Sequence, residues 1–374
     1  MRRVLAVNCG STSTKVAYFE DTIERGRESL DVPLSEGPAS PRVLDHFGPR
    51  SKQVRQFLES NGLRVADFDI LVARAGAIPH VRSGGAYEVN DLMVATLTHA
   101  PAAQHASSLS CLIANELARG TGVPVIVYDP TAVDCVDPIA KITGLPEVVN
   151  LPVFHLLNTK MAGTTYAATT GRGYADLDLI IAHLGGGITI GYHEHGRVAD
   201  WIYDDEGPMS PQRAGRVPTR YLVDLCYQSG RSHQAMRVHL AGRGGLAAHL
   251  GTQDTREIER RIAAGDERAA LVYRAMAYGV AKGIGELSVI RGGRVDQIIL
   301  TGGIAHSRLF TGWVGELVGF IAPVTVLAGE REMEALVAGG LRVLAGEEPI
   351  QPYTVHPPGY SSIEELRARP SFLA

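Results

Sequence analysis

Twice in this chain an apolar strand runs into a turn of small or polar residues and out into a second strand. The segments are VLAVNCGSTSTKVAYFE, from Val4 to Glu20, and LIIAHLGGGITIGYH, from Leu179 to His193. A first strand that is apolar along its length needs cover on both faces, which places it inside an α/β sheet and not on a surface. The two segments lie half a chain apart, which predicts two similar domains, each opening with a β-hairpin whose turn points at a shared cleft. A length of 374 residues agrees, because it exceeds what one hydrophobic core usually supports.

Short apolar runs ending in Gly, Asp or another polar residue predict further strands over Asp69 to Ala73, Pro124 to Tyr128, Gln297 to Leu300 and Val324 to Ala328. Apolar residues at intervals of three and four predict helices over Gln104 to Arg119, Pro211 to Gln228, Glu267 to Arg291 and Glu332 to Ala345. The class is α/β. Glu24 to Arg50 is polar, Pro-containing and aperiodic, and reads as a surface insertion or mobile segment.

A net charge of −4 without a polybasic run excludes electrostatic capture of nucleic acid or of a membrane surface, so small-molecule partners are expected. No stretch approaches the roughly 20 apolar residues of a membrane helix. The apolar stretch Val4 to Val7 is too short for a signal segment. Four cysteines without CxxC spacing or a companion His cluster predict neither zinc nor disulfides, and the expected compartment is the reducing cytoplasm.

The turn Asn8-Cys9-Gly10-Ser11-Thr12-Ser13-Thr14-Lys15 gathers a glycine amide, several hydroxyls and one ammonium, the donor set that holds a phosphate. It is not a Walker A loop, and a plain polar hairpin turn is the alternative. His183-Leu184-Gly185-Gly186-Gly187 and Thr301-Gly302-Gly303-Ile304 add two more glycine turns at strand ends. Either alone fits a bulge or tight turn. Three together favour a nucleotide site, since ligands of open α/β sheets bind at the carboxyl ends of strands. Arg74 and Asp129 follow predicted strands, and Arg213 lies in the segment Glu206 to Gly215. Arginines suit a carboxylate substrate and a transferring phosphoryl group, although surface ion pairs are the more frequent use of a single Arg or Asp. For His155 and His183 a satisfied core histidine, or one that supports a neighbouring group, is a common alternative, and their weight comes from the motifs around them.

In order along the chain, NCGSTSTK, ARAGAIPHVRSGGAYEVND, YDPTAVD, PVFHLLN, HLGGGITIG, DDEGPMSPQRAG, LTGGIAHS and GEREMEAL resemble the butyrate kinase branch of the acetate kinase family, in the actin, sugar kinase and Hsp70 superfamily. The resemblance implies two RNase H-like domains, residues 1–163 with 340–374 and residues 164–339, the second carrying most of the nucleotide site. It implies a homodimer or higher homo-oligomer. It also implies reversible, in-line transfer of phosphate from ATP to a short-chain carboxylic acid, giving an acyl phosphate and ADP, with Mg²⁺ as cofactor.

Carried over position by position, Asn8, Ser11, Ser13 and Lys15 would face the phosphoryl group. Gly185, Gly186 and Gly187 would form the second phosphate turn, and Gly302, Gly303 and Ile304 would lie against the adenosine. Arg74, Asp129, Arg213, His155 and His183 would be catalytic, and Asn8 and Glu332 would serve the metal. A Cys9 in the phosphate loop leads to the expectation that alkylation slows turnover and that ATP protects.

This chain departs from the butyrate branch at Cys9, at Asn150-Leu151-Pro152-Val153 and at Ala75. Acetate or propionate kinase, a non-catalytic nucleotide-binding member and a sugar kinase are the alternatives. The last would need a general base to activate a hydroxyl, which an arginine-rich site does not favour.

Overall fold

In the computed structural model, residues 1–10, 13–31, 43–76, 78–100, 105–203 and 205–368 are described. The chain forms two units, Met1–Asp134 with Arg331–Ala374, and Cys135–Glu330. The junctions therefore fall at 134/135 and 330/331. The sequence-based positions, 163/164 and 339/340, lie inside the helices Leu156–Thr170 and Glu332–Leu344, each of which packs as one piece on its own unit's sheet.

The first unit is built on β1 (Arg3–Cys9), buried at every position after Arg3. β2 (Ser13–Glu20) returns antiparallel beside it with Asn8 opposite Lys15, and β3 (Ile23–Asp31) continues the meander. On the other side β4 (Ile70–Ala73) runs parallel to β1. β5 (Ala86–Glu88) lies antiparallel to β6 (Val125–Tyr128), which itself runs parallel to β4. A two-residue β12 (Ile350–Gln351) completes the order β12-β5-β6-β4-β1-β2-β3. Glu332–Leu344 covers β1 and β4 on one face and Ser108–Ala118 on the other. Gly339 and Gly340 let the first of these helices lie close, since a Cβ would fall 2.4 Å from the Tyr128 ring at one and 2.7 Å from Val72 at the other.

The second unit repeats the plan. β7 (Leu179–Leu184) and β8 (Ile188–Glu194) are buried throughout, and β9 (Arg197–Ile202) follows antiparallel. β10 (Gln297–Gly302) runs parallel to β7, and β11 (Val324–Ala328) runs parallel to β10. The order β11-β10-β7-β8-β9 mirrors β6-β4-β1-β2-β3, so both units carry a three-strand meander flanked by two parallel strands. Glu267–Leu287 packs on one face and Leu156–Thr170 on the other.

Two expectations are corrected. Glu24–Asp31 belongs to strand β3, and Phe47–Ser60 is a helix in which Arg50 and Ser51 are buried, so only 32–42 of the supposed insertion remains, and it lies outside the described residues. Charged side chains along β3 suit an edge that must not pair further, and they also erase the alternation that would have announced it. The helix expected from Pro211 begins at Thr219. Before it, Ser210 and Arg213 close a turn, and Gly215 sits at φ +63 against the Pro208–Met209 backbone, where a Cβ would lie 2.6 Å from Met209 N.

Candidate active site

Within the first unit the candidate side chains stand at the carboxyl ends of β1, β4 and β6. Parallel strands deliver these ends to one edge of a sheet. Asn8 near the end of β1 is buried, and its Nδ2 donates to Glu332 Oε2 at 2.7 Å. Glu332 opens the helix Glu332–Leu344. Arg74 directly follows β4, where its amide donates to the Val7 carbonyl at 3.1 Å. Its side chain turns back to Glu332, with Nη2 3.3 Å from Oε1. Arg74 is only 5% exposed, yet its Nη1 has no hydrogen-bond partner among the described residues. A buried guanidinium nitrogen left in that state calls for an anion.

Asp129 ends β6 in the same way. It is buried at φ +41, its Oδ1 accepts from the Gly85 amide at 2.7 Å, and its own amide donates to the Gly85 carbonyl at 3.0 Å. Left-handed backbone at a non-glycine residue is costly and concentrates at functional positions. Gly85 faces Glu348 so closely, at φ +108, that a Cβ would sit 2.6 Å from Oε1.

Ser13 and Lys15 are half-buried on β2, and Ser11 lies outside the described residues. What holds this turn is not visible in the sequence. Arg50, 1% exposed, reaches in from its helix and donates through Nη1 to Gly10 O at 2.8 Å, Ser13 O at 3.1 Å and Thr14 Oγ1 at 3.4 Å. Beneath it Cys9 is 1% exposed, and burial pushes its thiol above the usual value against the opposing pull of Ser110 and Arg50. The expectation that Cys9 is open to alkylation is therefore corrected, because reagent would have to enter a packed interior in which the thiolate is disfavoured.

In the second unit, β7 leads through buried His183 into Gly185–Gly187, where the Gly185 amide donates to the Gly187 carbonyl at 3.1 Å. Another residue the sequence did not reveal, buried Ser210, donates its Oγ to Gly186 O at 2.6 Å and accepts from the Arg213 amide at 3.2 Å. Ser210 thus fastens the arginine-bearing segment to the glycine turn. β10 ends at Gly302, whose φ of +92 and close approach to Leu184, a Cβ lying 2.5 Å from its carbonyl oxygen, require glycine. Gly303 opens into free space, while the Ile304 side chain belongs to the hydrophobic core, so only its backbone faces outward chemistry. His155 stacks on His183, with ring centroids 4.2 Å apart.

The sequence departures are accommodated. Ala75 is buried and is not among the residues at positive φ. Asn150 donates to Glu206 Oε1 at 3.1 Å, and Leu151 is exposed.

A sequence profile of the Acetokinase family matches residues 153–311. The chain is 40% identical over 349 residues to the probable butyrate kinase 2 of Caldanaerobacter subterraneus subsp. tengcongensis, covering 93% of this chain and 98% of that protein. It is 38% identical over 353 residues to butyrate kinase 2 of Clostridium acetobutylicum, covering 94% and 99%. Among solved structures it resembles Porphyromonas gingivalis acetate kinase with a TM-score of 0.75 at 18% identity, covering 92% of this chain and all of that one. The fold is thus that of the acetate kinases, as the motif order implied.

Proposed function

The chain belongs to the acetokinase family, and on that footing we propose that it phosphorylates a short-chain carboxylic acid with ATP, giving an acyl phosphate and ADP. Butyrate is the acid that the relatives' names favour, and a branched acid of similar size is the alternative. The observation that carries the reading is Arg74, buried, braced by Glu332 and offering a guanidinium nitrogen that no described residue uses.

A carboxylate is already deprotonated at neutral pH, so no general base is needed and the work is placement and neutralisation of charge. Arg74 serves the acid or the phosphoryl oxygens as a fixed donor. Arg213, carried by the Ser210-anchored turn, stabilises the charge that spreads over the transferring group. Asp129, held rigid by Gly85, orients what lies beside it. Backbone amides of Gly185–Gly187 and the β1–β2 turn with Ser13 and Lys15 supply further phosphate donors, and Gly302–Ile304 lines the nucleoside.

Magnesium takes one or two carboxylates together with phosphate oxygens and water. Glu332, its carboxylate fixed by Asn8 and Arg74, suits that mode, and among the described residues no cluster of three or more acidic, His or Cys side chains offers a cage of protein ligands alone. Bound there, the ion would neutralise phosphate charge. Asn8, whose amide nitrogen faces the carboxylate, would then set the orientation of Glu332.

A cytoplasmic, reducing setting is supported by four free cysteines, and no helix among the described residues is long and apolar enough to cross a membrane. Exposed Ile139, Ile142, Leu145, Val149 and Leu151 in one short stretch of the second unit support a homo-oligomer.

Acyl hydroxamate formation from ATP, Mg²⁺ and hydroxylamine, run over acids from acetate to valerate, tests the reading. Activity should peak at butyrate, isobutyrate or valerate, and Arg213→Ala should remove about 2 to 4 kcal/mol of transition-state stabilisation. ATP binding without hydroxamate from any acid would instead mark a nucleotide-binding protein without this activity.

A further inference from the structure

His155 and Asn158 stand three residues apart at the start of the helix Leu156–Thr170, and both reach His183. His155 stacks on the His183 ring at 22° between planes, and its Nδ1 lies 3.0 Å from Thr189 Oγ1. Thr189 is the register partner of His183 in the β7–β8 ladder, so both histidines are tied to one rung. Asn158, 2% exposed, sets its Nδ2 at 2.7 Å from His183 Nδ1. An amide NH₂ donates and does not accept, so with the Asn158 NH₂ turned to the ring Nδ1 would be the accepting nitrogen and the imidazole proton would sit on Nε2.

The far side of the ring agrees with this. Nε2 lies 4.0 Å from Glu330 Oε1, a carboxylate that favours a proton facing it. A Cβ on Gly185 would fall 2.9 Å from Nε2, so the proton-bearing edge borders the glycine turn, and that turn must be glycine for the edge to reach it.

We propose that Asn158 is a positioning residue that locks His183 as the Nε2–H tautomer, making Nε2 a fixed neutral donor beside Gly185–Gly187. For the identity of the group this donor meets, a transferring phosphoryl, the inference rests on the reading given above. A ring free to exchange tautomers would spend part of its time turning a lone pair toward phosphoryl oxygens, which repels them. Holding one tautomer through the partner of the other nitrogen removes that state before substrate arrives.

The test is imidazole ¹⁵N NMR on the full chain labelled at histidine, with His183 assigned by difference against His183→Gln. The wild type should show a neutral His183 protonated on Nε2. Asn158→Asp, which can only accept, should move the proton to Nδ1 or charge the ring, and Asn158→Leu should populate both tautomers. In both variants kcat should fall on the order of tenfold or more, with KM for the acid changing little. A wild-type His183 protonated on Nδ1 would overturn the inference, as would an Asn158→Asp enzyme that keeps both the tautomer and kcat. The wild-type spectrum is read without turnover, so it decides the point even if no acid is phosphorylated or Asn158→Leu fails to fold.

Discussion

Replacing Arg50 with Met should loosen the β1–β2 turn and weaken ATP use together. One guanidinium nitrogen serves Gly10 O, Ser13 O and Thr14 Oγ1, at 2.8, 3.1 and 3.4 Å. Hydrogen bonds to a charged group contribute roughly 1.5 to 3 kcal/mol each, but three acceptors on one nitrogen share it and do not add. Ser13 O keeps the Gly10 amide at 2.8 Å, whereas Gly10 O loses its charged donor. Methionine fills most of the stem's space, so the cavity left is small.

The net cost is therefore about 2 to 4 kcal/mol, a fall in the melting temperature of the first unit of roughly 5 to 10 °C. Lysine is the informative control. Because a single nitrogen makes all three contacts, an ammonium placed there can replace them, and Arg50→Lys should recover most of the stability. Differential scanning fluorimetry gives the first quantity, and KM for ATP against KM for the acid gives the second. Arg50→Met should raise the former more than the latter. A variant that melts like the wild type with unchanged KM for ATP would show that the turn is held by something other than Arg50.

Thiol reagents should modify exposed Cys226 well before Cys9, with activity retained while Cys226 is consumed, as peptide mapping against residual rate would show. Cys9 labelling at the rate of Cys226 would contradict its burial. Arg291, hydrogen-bonded to Glu194 at 2.8 and 2.9 Å, holds that carboxyl below the usual carboxylate range against the opposing effect of burial. A folded-state pKa below the unfolded one contributes stability above the unfolded value and loses it as pH falls through the folded one. Arg291→Gln should accordingly lower the melting temperature at pH 7, and the gap from wild type should close below about pH 4. A gap of equal size at both pH values would refute the linkage.

What was legible in the sequence follows from how locally each feature is determined. β1–β2 and β7–β8 announce themselves because the buried stretches Val4–Val7 and Leu179–Ala182 are apolar at every position and lead into turns of small or polar residues. β11 shows its full extent for a related reason, an apolar run bounded by Pro and Gly. β3 is hidden by the charges of an edge, and β5 and β12, at three and two residues, are shorter than any periodicity.

Arg50 was unreadable because a charged residue near Gly48 and Pro49 resembles a surface loop, and its burial is created only by carbonyls brought in from the β1–β2 turn. Asn158 and Ser210 are of the same kind. Each looks like an ordinary polar residue until His183 or Gly186 arrives beside it. Arg74, Asp129 and Glu332 could be named from strand-end logic and family resemblance, but the Asn8–Glu332–Arg74 contacts that tie them together are a property of the folded unit alone.

The glycine turns raise the harder question of which glycines serve the fold and which serve a ligand, and two neighbours separate the cases. At Gly302, φ is +92 and a Cβ would press on the Leu184 backbone at 2.5 to 2.8 Å, so alanine must either shift β7 against β10 or strain the turn. Left-handed strain of roughly 1 to 2 kcal/mol and overpacking of about 1 to 3 kcal/mol predict a clear loss of stability whether or not nucleotide ever binds. Gly303 differs on both counts. Its φ lies outside the left-handed range, and a Cβ there meets nothing within 4 Å, so Gly303→Ala should melt with the wild type. If the turn after β10 lies against the adenosine, the space that makes this alanine harmless in the free protein is the space the ligand needs. KM for ATP should then rise several-fold while KM for the acid stays where it was. A Gly303→Ala enzyme unchanged in both would leave Gly302 explained by packing alone and move the nucleoside elsewhere on the second unit.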